Sequence, residues 1–215
     1  MATGSANTCA NYVDNSVPCW GAPIGQTMDD EPTTFATRPA VVAGLSAIKL
    51  SMNYQNVCVV TPTFTVKCWG DNTFSQLGGG GTRSGPALVT PRTIANVTSI
   101  AAGAASTCAS ISTGRVWCWG WGNGGELGIG KRISSLVPLR LPSLLNVSKV
   151  ASFQSTTCAI DATSQAWCWG GGWFGQLGNG SSGSYVTLPV VVGDISNVST
   201  IAIGQTSGGA TSSDG

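Results

Sequence analysis

The chain has 215 residues, with ten Lys and Arg against nine Asp and Glu, a net charge of +1 and no histidine. Only 9% of its residues are charged, against about 25% in an ordinary soluble domain. That balance excludes a basic nucleic-acid footprint, and the missing histidine removes the commonest general base and metal ligand.

The length suits one sizeable domain or a repeat array, and thirty Gly and ten Pro fit a chain of turns. The start, M-A-T-G-S-A-N-T-C-A, has no basic n-region and no apolar h-region, so no signal peptide is read there. The longest uncharged apolar run, Ala40–Ile48, is too short to span a bilayer.

In chain order, the cysteines fall at Cys9 and Cys19, Cys58 and Cys68, Cys108 and Cys118, Cys158 and Cys168. Each pair is ten residues apart, and successive pairs are offset by 49, 50 and 50 residues. A fixed period of this size marks a propeller, a solenoid or a similar array. The repeats run 1–49, 50–99, 100–149 and 150–200, with a partial fifth at 201–215.

The third copy shows the unit. Strand A is expected at Val97–Ala102, B at Ser106–Ser112 and C at Val116–Gly120. A Gly-rich loop then leads to D at Ser135–Leu141, where Pro138 points to an edge or irregular strand. Four short strands per repeat with no helical period predict an all-β fold of four-stranded, propeller-like blades. A closed ring and an open array both stay open.

In an antiparallel hairpin, opposed residues have a constant sum of numbers. Cys108 and Cys118 sum to 226, as do Ser110 with Val116 and Ile111 with Arg115, which puts the apex at the turn residue Thr113. Opposed side chains on neighbouring strands are close enough for a bridge. The expectation is therefore four B–C disulfides, Cys9–Cys19, Cys58–Cys68, Cys108–Cys118 and Cys158–Cys168, and an oxidising compartment. Zinc is the weaker alternative, since no C-x(2–4)-C knuckle occurs; unpaired core thiols are the other.

Trp117 and Trp119 flank Cys118 and share the opposite face. Trp20, Trp69 and Trp169 repeat Trp119, and Trp167 repeats Trp117. Recurrence favours filling between blades over a sugar platform. Trp121, Trp173 and Phe174 lie in the Gly-rich loops and are the candidate contact residues. The Gly runs Gly78–Gly81 and Gly120–Gly125 lack the Lys-Ser/Thr of a phosphate loop and read as blade-connecting turns.

The pattern A-A-G-x(4)-T-C-A-x(5)-G-x-V-x-C-W-G-x(5)-G-x-L-G resembles the repeats of the regulator of chromosome condensation family. The match is good at Ala101–Gly128 and Ala151–Gly178, fair at Leu50–Gly78 and poor at Met1–Asp30. The cysteines make it similar to a secreted branch of that family. The resemblance implies a propeller, which in the family typically closes seven blades. The founder's roles in nucleotide exchange and histone binding are not carried over, because this chain reads as oxidised and lacks a basic patch. The His often found before T-C-A is replaced by Ser106 and Thr156. A secreted bacterial propeller of similar kind inhibits beta-lactamases, which shows that such a fold can serve as a binding surface.

Met1 aligns with the apolar A-strand positions Leu50, Ile100, Val150 and Ile201. Val198–Ile203 reads as a fifth A strand, and Ala210–Gly215 reaches the B–C turn, leaving an orphan strand open to a partner. N-x-[ST] occurs at Asn96, Asn146, Asn179 and Asn197, expected to carry glycans on a charge-poor surface. No catalytic constellation stands out. Asp29-Asp30-Glu31 reads as a hydrated loop rather than a calcium site, and Asp71, Glu126 and Asp161 as scattered loop residues. No cofactor, metal, nucleic acid or membrane span is expected.

The functional expectation is a non-catalytic, secreted structural or assembly module: a glycosylated repeating subunit of an extracellular fibre or coat, associating head to tail or with another extracellular protein. The competing expectation is a secreted propeller that recognises a protein or glycan through its loop face.

Overall fold

The computed structural model describes residues 1–24 and 35–213, and strand is the regular structure found among them. The first sheet holds β1 (Ala2–Thr3), β2 (Asn7–Cys9), β3 (Ser16–Gly21) and β4 (Ala36–Ser46). The second holds β5 (Lys49–Asn53), β6 (Asn56–Val60), β7 (Val66–Gly70) and β8 (Gly85–Val89). The third holds β9 (Val97–Ala102), β10 (Ser106–Ile111), β11 (Val116–Gly120) and β12 (Ser135–Arg140). The fourth holds β13 (Val147–Phe153), β14 (Thr156–Asp161), β15 (Ala166–Gly171) and β16 (Tyr185–Val191). Last come β17 (Val198–Ile203) and β18 (Gly208–Ser212), paired with each other. Each sheet runs A-B-C-D in chain order, so β18 is not an orphan strand: it pairs with the A strand before it.

The hairpin register is the one the cysteine spacing dictates. Cys108 lies opposite Cys118 and Ser110 opposite Val116, and the other blades repeat this. The bonded pairs Ala109–Trp117 and Thr107–Trp119 alternate with the cysteine positions, leaving the cysteines at the close, non-hydrogen-bonded sites. Four disulfides join B to C, each with Cα atoms 4.1 Å apart, and no cysteine is free. The D strands form one edge of each four-stranded sheet, and their register shifts beside the glycine that follows the tryptophan of strand C in every blade; Pro138 lies in such an edge strand, β12.

Blades stack through the side chain after the second cysteine. Trp119 is fully buried against Cys58, Cys68 and Leu77 of the preceding blade. Trp169 sits likewise on Cys108, Cys118 and Leu127, and Trp69 packs in the cluster of Cys9 and Val17. The indole N–H groups are satisfied across the same seam: Trp119 Nε1 donates to the Gln76 carbonyl at 2.8 Å and Trp169 Nε1 to the Glu126 carbonyl at 2.9 Å. These tryptophans are scaffold. Trp117 and Trp167 are only half-buried, and Trp167 still packs against the cluster of Cys108 and Cys118 in the blade before it. They lie one pair closer to the B–C turn, where Trp167 turns its Nε1 to Asp161 Oδ2 at 2.9 Å.

Met1 is 85% exposed, whereas Ile100, at the same repeat position, is 7% exposed and packs into the cluster of the blade before it. One further expectation is corrected. The Gly runs do not connect blades but lie in C–D loops, within a blade. They reach across to the next blade, where Gly80 N donates to the Leu136 carbonyl at 3.0 Å and Gly130 N to the Thr187 carbonyl at 2.8 Å. The acidic stretch Asp29-Asp30-Glu31 lies outside the described residues.

Because strand direction alternates, the A–B turns and C–D loops emerge at one end of every blade. The B–C turns and D–A connections emerge at the other. This division locates every candidate contact residue.

Candidate functional site: the A–B and C–D loop face

The C–D loop of the second blade is built around Asp71. Its Oδ1 accepts from Thr73 N at 3.0 Å and Thr73 Oγ1 at 2.7 Å, while Oδ2 accepts from Gln76 Nε2 at 2.9 Å. Gln76 Oε1 in turn accepts from Phe74 N at 2.9 Å, and Asn72 Oδ1 from Leu77 N at 3.0 Å. The loop is thus held rigid while Phe74 stands 41% exposed at its tip. Rigid loops that present an aromatic ring bind at low entropic cost.

In the fourth blade Gln176 Oε1 accepts from Phe174 N at 2.8 Å, the same bond at the same repeat position. Phe174 is 70% and Trp173 50% exposed, with Trp173 edge-on to Tyr185 at 5.4 Å between centroids. Arg132, from the third blade's loop, lies over the other side of this cluster, 4.8 Å from the Tyr185 centroid. The tip residue before the Gln or Glu has positive φ in all three loops: Ser75 at 65°, Gly125 at 84° and Gly175 at 78°. At Gly125 a Cβ would come within 2.7 Å of the Val186 carbonyl, so the close approach of the third and fourth blades requires glycine there.

The third blade's loop differs. Trp121 stands where Asp71 does, and Glu126 where Gln76 and Gln176 do. Trp121 is not the exposed contact residue its loop position promises. It is half-buried, edge-on to Phe74 at 5.0 Å. Glu126, which reads in sequence as a scattered loop residue, is only 4% exposed. Its Oε2 accepts from Gly124 N at 2.8 Å, the counterpart of the Gln76 and Gln176 bonds. Burial pushes its carboxyl above the usual range, against the opposing pull of the Glu126 and Gly124 N–H groups and the Arg132 charge. A carboxyl raised in the fold costs stability as pH rises from its unfolded value through its folded one. The one signal in sequence was the break in the repeat, G-E-L-G against S-Q-L-G and G-Q-L-G.

Between Trp121 and the A–B turns lies a cavity of about 310 Å³ lined by Tyr54, Trp121, Glu126, Gln154 and Ser155, among others. Gln154 Nε2 donates to the Tyr54 hydroxyl at 3.0 Å, joining turns 100 residues apart in sequence. Both residues hold positive φ, 47° for Tyr54 and 48° for Gln154.

The exposed rings Phe35, Tyr54, Phe74, Trp173, Phe174 and Tyr185 all belong to loops or loop ends of this face; Tyr12 and Phe64 lie at B–C turns on the other. Three of the four sequons are also on that other face. Asn96, Asn146 and Asn197 are exposed at D–A connections with φ of 55°, 57° and 54°, a conformation that itself favours Asn. Asn179 is half-buried in a C–D loop, its Oδ1 accepting from Ser181 N at 3.2 Å. Ser106 and Thr156, which replace the family's His, are buried. Asp161 closes a turn: although burial acts against it, bonds from Thr163, Trp167 and Gln165 hold its carboxyl below the usual value. Among the described residues no group of three His, Cys, Asp or Glu could hold a metal ion, and no helix is long and apolar enough to cross a membrane.

At the far end of the array, the Cys158–Cys168 face carries no tryptophan in its cluster, which consists of Leu177, Val186, Val192, Ile201 and Ile203 besides the cystine. A cavity of about 420 Å³ opens there.

Four-stranded antiparallel blades, stacked face to face with their loops gathered at the two ends, define a β-propeller architecture. Residues 66–110 and 113–160 match the model of the regulator of chromosome condensation (RCC1) repeat, and residues 97–126 match a second model of it. These residues match RCC1 repeats, and the blades have the fold of an RCC1-type β-propeller. The chain superposes on human WBSCR16 with a TM-score of 0.84 at 20% identity, covering 100% of this chain and 60% of that one. With Prp20p of Saccharomyces cerevisiae the TM-score is 0.82 at 16% identity, covering 98% and 55%. With the same yeast protein bound to Kap60 it is 0.77 at 21%, covering 94% and 51%. The chain therefore spans no more than 60% of these solved chains, and at such identities the likeness is one of fold. No curated protein matches the chain by sequence.

Proposed function

We propose that this chain is a non-catalytic binding module that presents its A–B and C–D loop face to a protein partner. One observation carries the reading: exposed Phe74, Trp173, Phe174 and Tyr185 stand on loops pinned by side-chain hydrogen bonds. Aromatic anchors on preorganised loops are the usual source of hot-spot energy. The yeast relative's solved structures concern its binding to Gsp1p and histones and its complex with Kap60, which supports protein binding as a use of the fold without naming a partner here. Four disulfides fit an oxidising, extracellular setting.

The test compares capture of partners from the native extracellular fluid by three proteins. The Trp173→Ala/Phe174→Ala double variant is expected to lose capture at least about 30-fold, a hot-spot loss of about 2 kcal/mol. Phe64→Ala, on the opposite face, should keep it. Glycans at Asn96, Asn146 and Asn197 would project from that opposite face, so N-glycosidase treatment should lower the mass and leave capture unchanged. Equal capture by all three proteins sinks the reading.

A second reading, assembly into a fibre or coat, is favoured by the Cys158–Cys168 face, which Ile201 and Ile203 cover without a tryptophan, and by the edge that the β17–β18 ribbon presents among the described residues. A strand from a second copy, added along β18, would close the cavity of about 420 Å³ beside that cystine. Sedimentation of the 215-residue chain should then show concentration-dependent oligomers; a monomer at high concentration removes this reading and leaves the first intact.

A further inference from the structure

We propose that the cavity bounded by Tyr54, Trp121, Glu126 and Gln154 receives a cationic side chain of the docked protein, a lysine or an arginine. The proposal rests on the loop-face reading above and names the chemistry of the partner.

The argument starts from a charge that the fold does not use. At the same repeat position Gln76 and Gln176 each supply one acceptor oxygen to the loop, to Phe74 N and to Phe174 N. Glu126 supplies that acceptor too, to Gly124 N, so a neutral amide would complete the loop as well. The carboxylate's extra charge is nonetheless buried, with the residue 4% exposed. An unpaired buried charge is costly. The neighbouring cation relieves it only in part: the Arg132 charge pulls on the carboxyl, but Arg132 gives its Nε to the Asn123 carbonyl and sets its guanidinium against the Tyr185 ring.

The cavity supplies what a cation needs besides a counter-charge. Two aromatic residues, Tyr54 and Trp121, line it together with Glu126, and ring faces attract ammonium and guanidinium groups, more strongly when these are desolvated. At about 310 Å³ it is a side-chain-sized site at the small end of ligand pockets. Its far wall is set in place: Tyr54 and Gln154 are both held at left-handed backbone angles and bonded to each other. Non-glycine residues in that region cost energy and collect at binding sites. The pocket opens on the face that carries Phe74, 5.0 Å from Trp121 between centroids, so a partner gripping the aromatic rim is in reach of it.

The test needs no identified partner. The probes are Nα-acetyl-lysine N-methylamide, its ε-trimethylated form, the arginine analogue, and the neutral norleucine analogue, each titrated into the oxidised full chain. The readout is the indole Nε1–H resonance of Trp121. The cationic probes should shift it saturably, and the norleucine analogue should bind at least tenfold more weakly. Glu126→Gln, which installs the residue of the neighbouring blades, should keep the fold by circular dichroism and lose at least tenfold in affinity for the cations. Which cation binds best decides between ammonium, quaternary ammonium and guanidinium partners. Equal binding of norleucine, unchanged affinity in Glu126→Gln, or no shift with any probe overturns the proposal. Each of those outcomes does so whether or not Trp173→Ala/Phe174→Ala abolishes capture, so the pocket and the loop-face reading fail separately.

Discussion

Trp169→Ala should destabilise the protein by about 3–5 kcal/mol, the range for truncating a buried aromatic. For a chain of this size that corresponds to a fall in melting temperature of roughly 6–20 °C. Two effects combine. The substitution empties a fully buried site between Cys108, Cys118 and Leu127 of one blade and the next. It also strips the Glu126 carbonyl of the indole donor 2.9 Å away, and an orphaned buried acceptor costs about 1–3 kcal/mol by itself. Each repeat leans mainly on its neighbours, so stability is close to a chain of nearest-neighbour interfaces. The damage should therefore be local. Amide exchange should accelerate in β13–β18 while β5–β8 keep their protection. Trp117→Ala is the internal control. Trp117 is only half-buried and its Nε1 has no hydrogen-bond partner, so its loss should cost about 1 kcal/mol. Equal melting points for the two variants would show that the seam is not what holds the blades together.

The contrast between these two tryptophans marks how far sequence reasoning reaches. Cysteine spacing fixes the hairpin register because a strand has a period of two and a disulfide tolerates only a short separation. The strand limits of the third copy follow, with A and C at Val97–Ala102 and Val116–Gly120 in both readings. Recurrence identifies Trp119 and Trp169 as scaffold, since a position that every blade repeats serves what every blade needs.

Recurrence is silent about the loops. Trp121 reads as free in sequence because nothing local covers it; the cover is Phe74, 47 positions earlier and in another blade. Glu126 looks like any loop carboxylate until the Gly124 bond and the neighbouring blade bury it. Both errors have one physical origin. Local pattern reports which face a residue points to, whereas loop burial depends on how closely two blades approach, which is a tertiary quantity. A departure from the repeat, Glu for Gln, is the signal that survives in sequence, and it is strongest where the repeat is otherwise regular.

Reduction should act on the blades in an order set by burial, and complete reduction should unfold the chain. Each disulfide spans a sequence separation of ten residues, for which chain entropy gives about 2.5–3 kcal/mol, by a mechanism still disputed. Four such links together are comparable to the whole stability of a typical domain, about 5–15 kcal/mol. Under native conditions a reductant must first reach a sulfur. Cys58, Cys68, Cys108 and Cys118 are fully buried under Trp119 and Trp169. Cys19 is half-buried and lines an open cavity of about 330 Å³. In dilute dithiothreitol, quenched with an alkylating agent and mapped by mass, Cys9 and Cys19 should label first. Cys158 and Cys168, buried but lining the cavity of about 420 Å³, should follow. The two central pairs should label together and last, in step with loss of β structure by circular dichroism, because reaching them requires the blades to part. Labelling of Cys108 and Cys118 as fast as Cys9 and Cys19 would refute this order. Full labelling with the circular dichroism spectrum unchanged would show that the hairpins hold without their bridges, and would remove the strongest physical reason for placing this protein in an oxidising compartment.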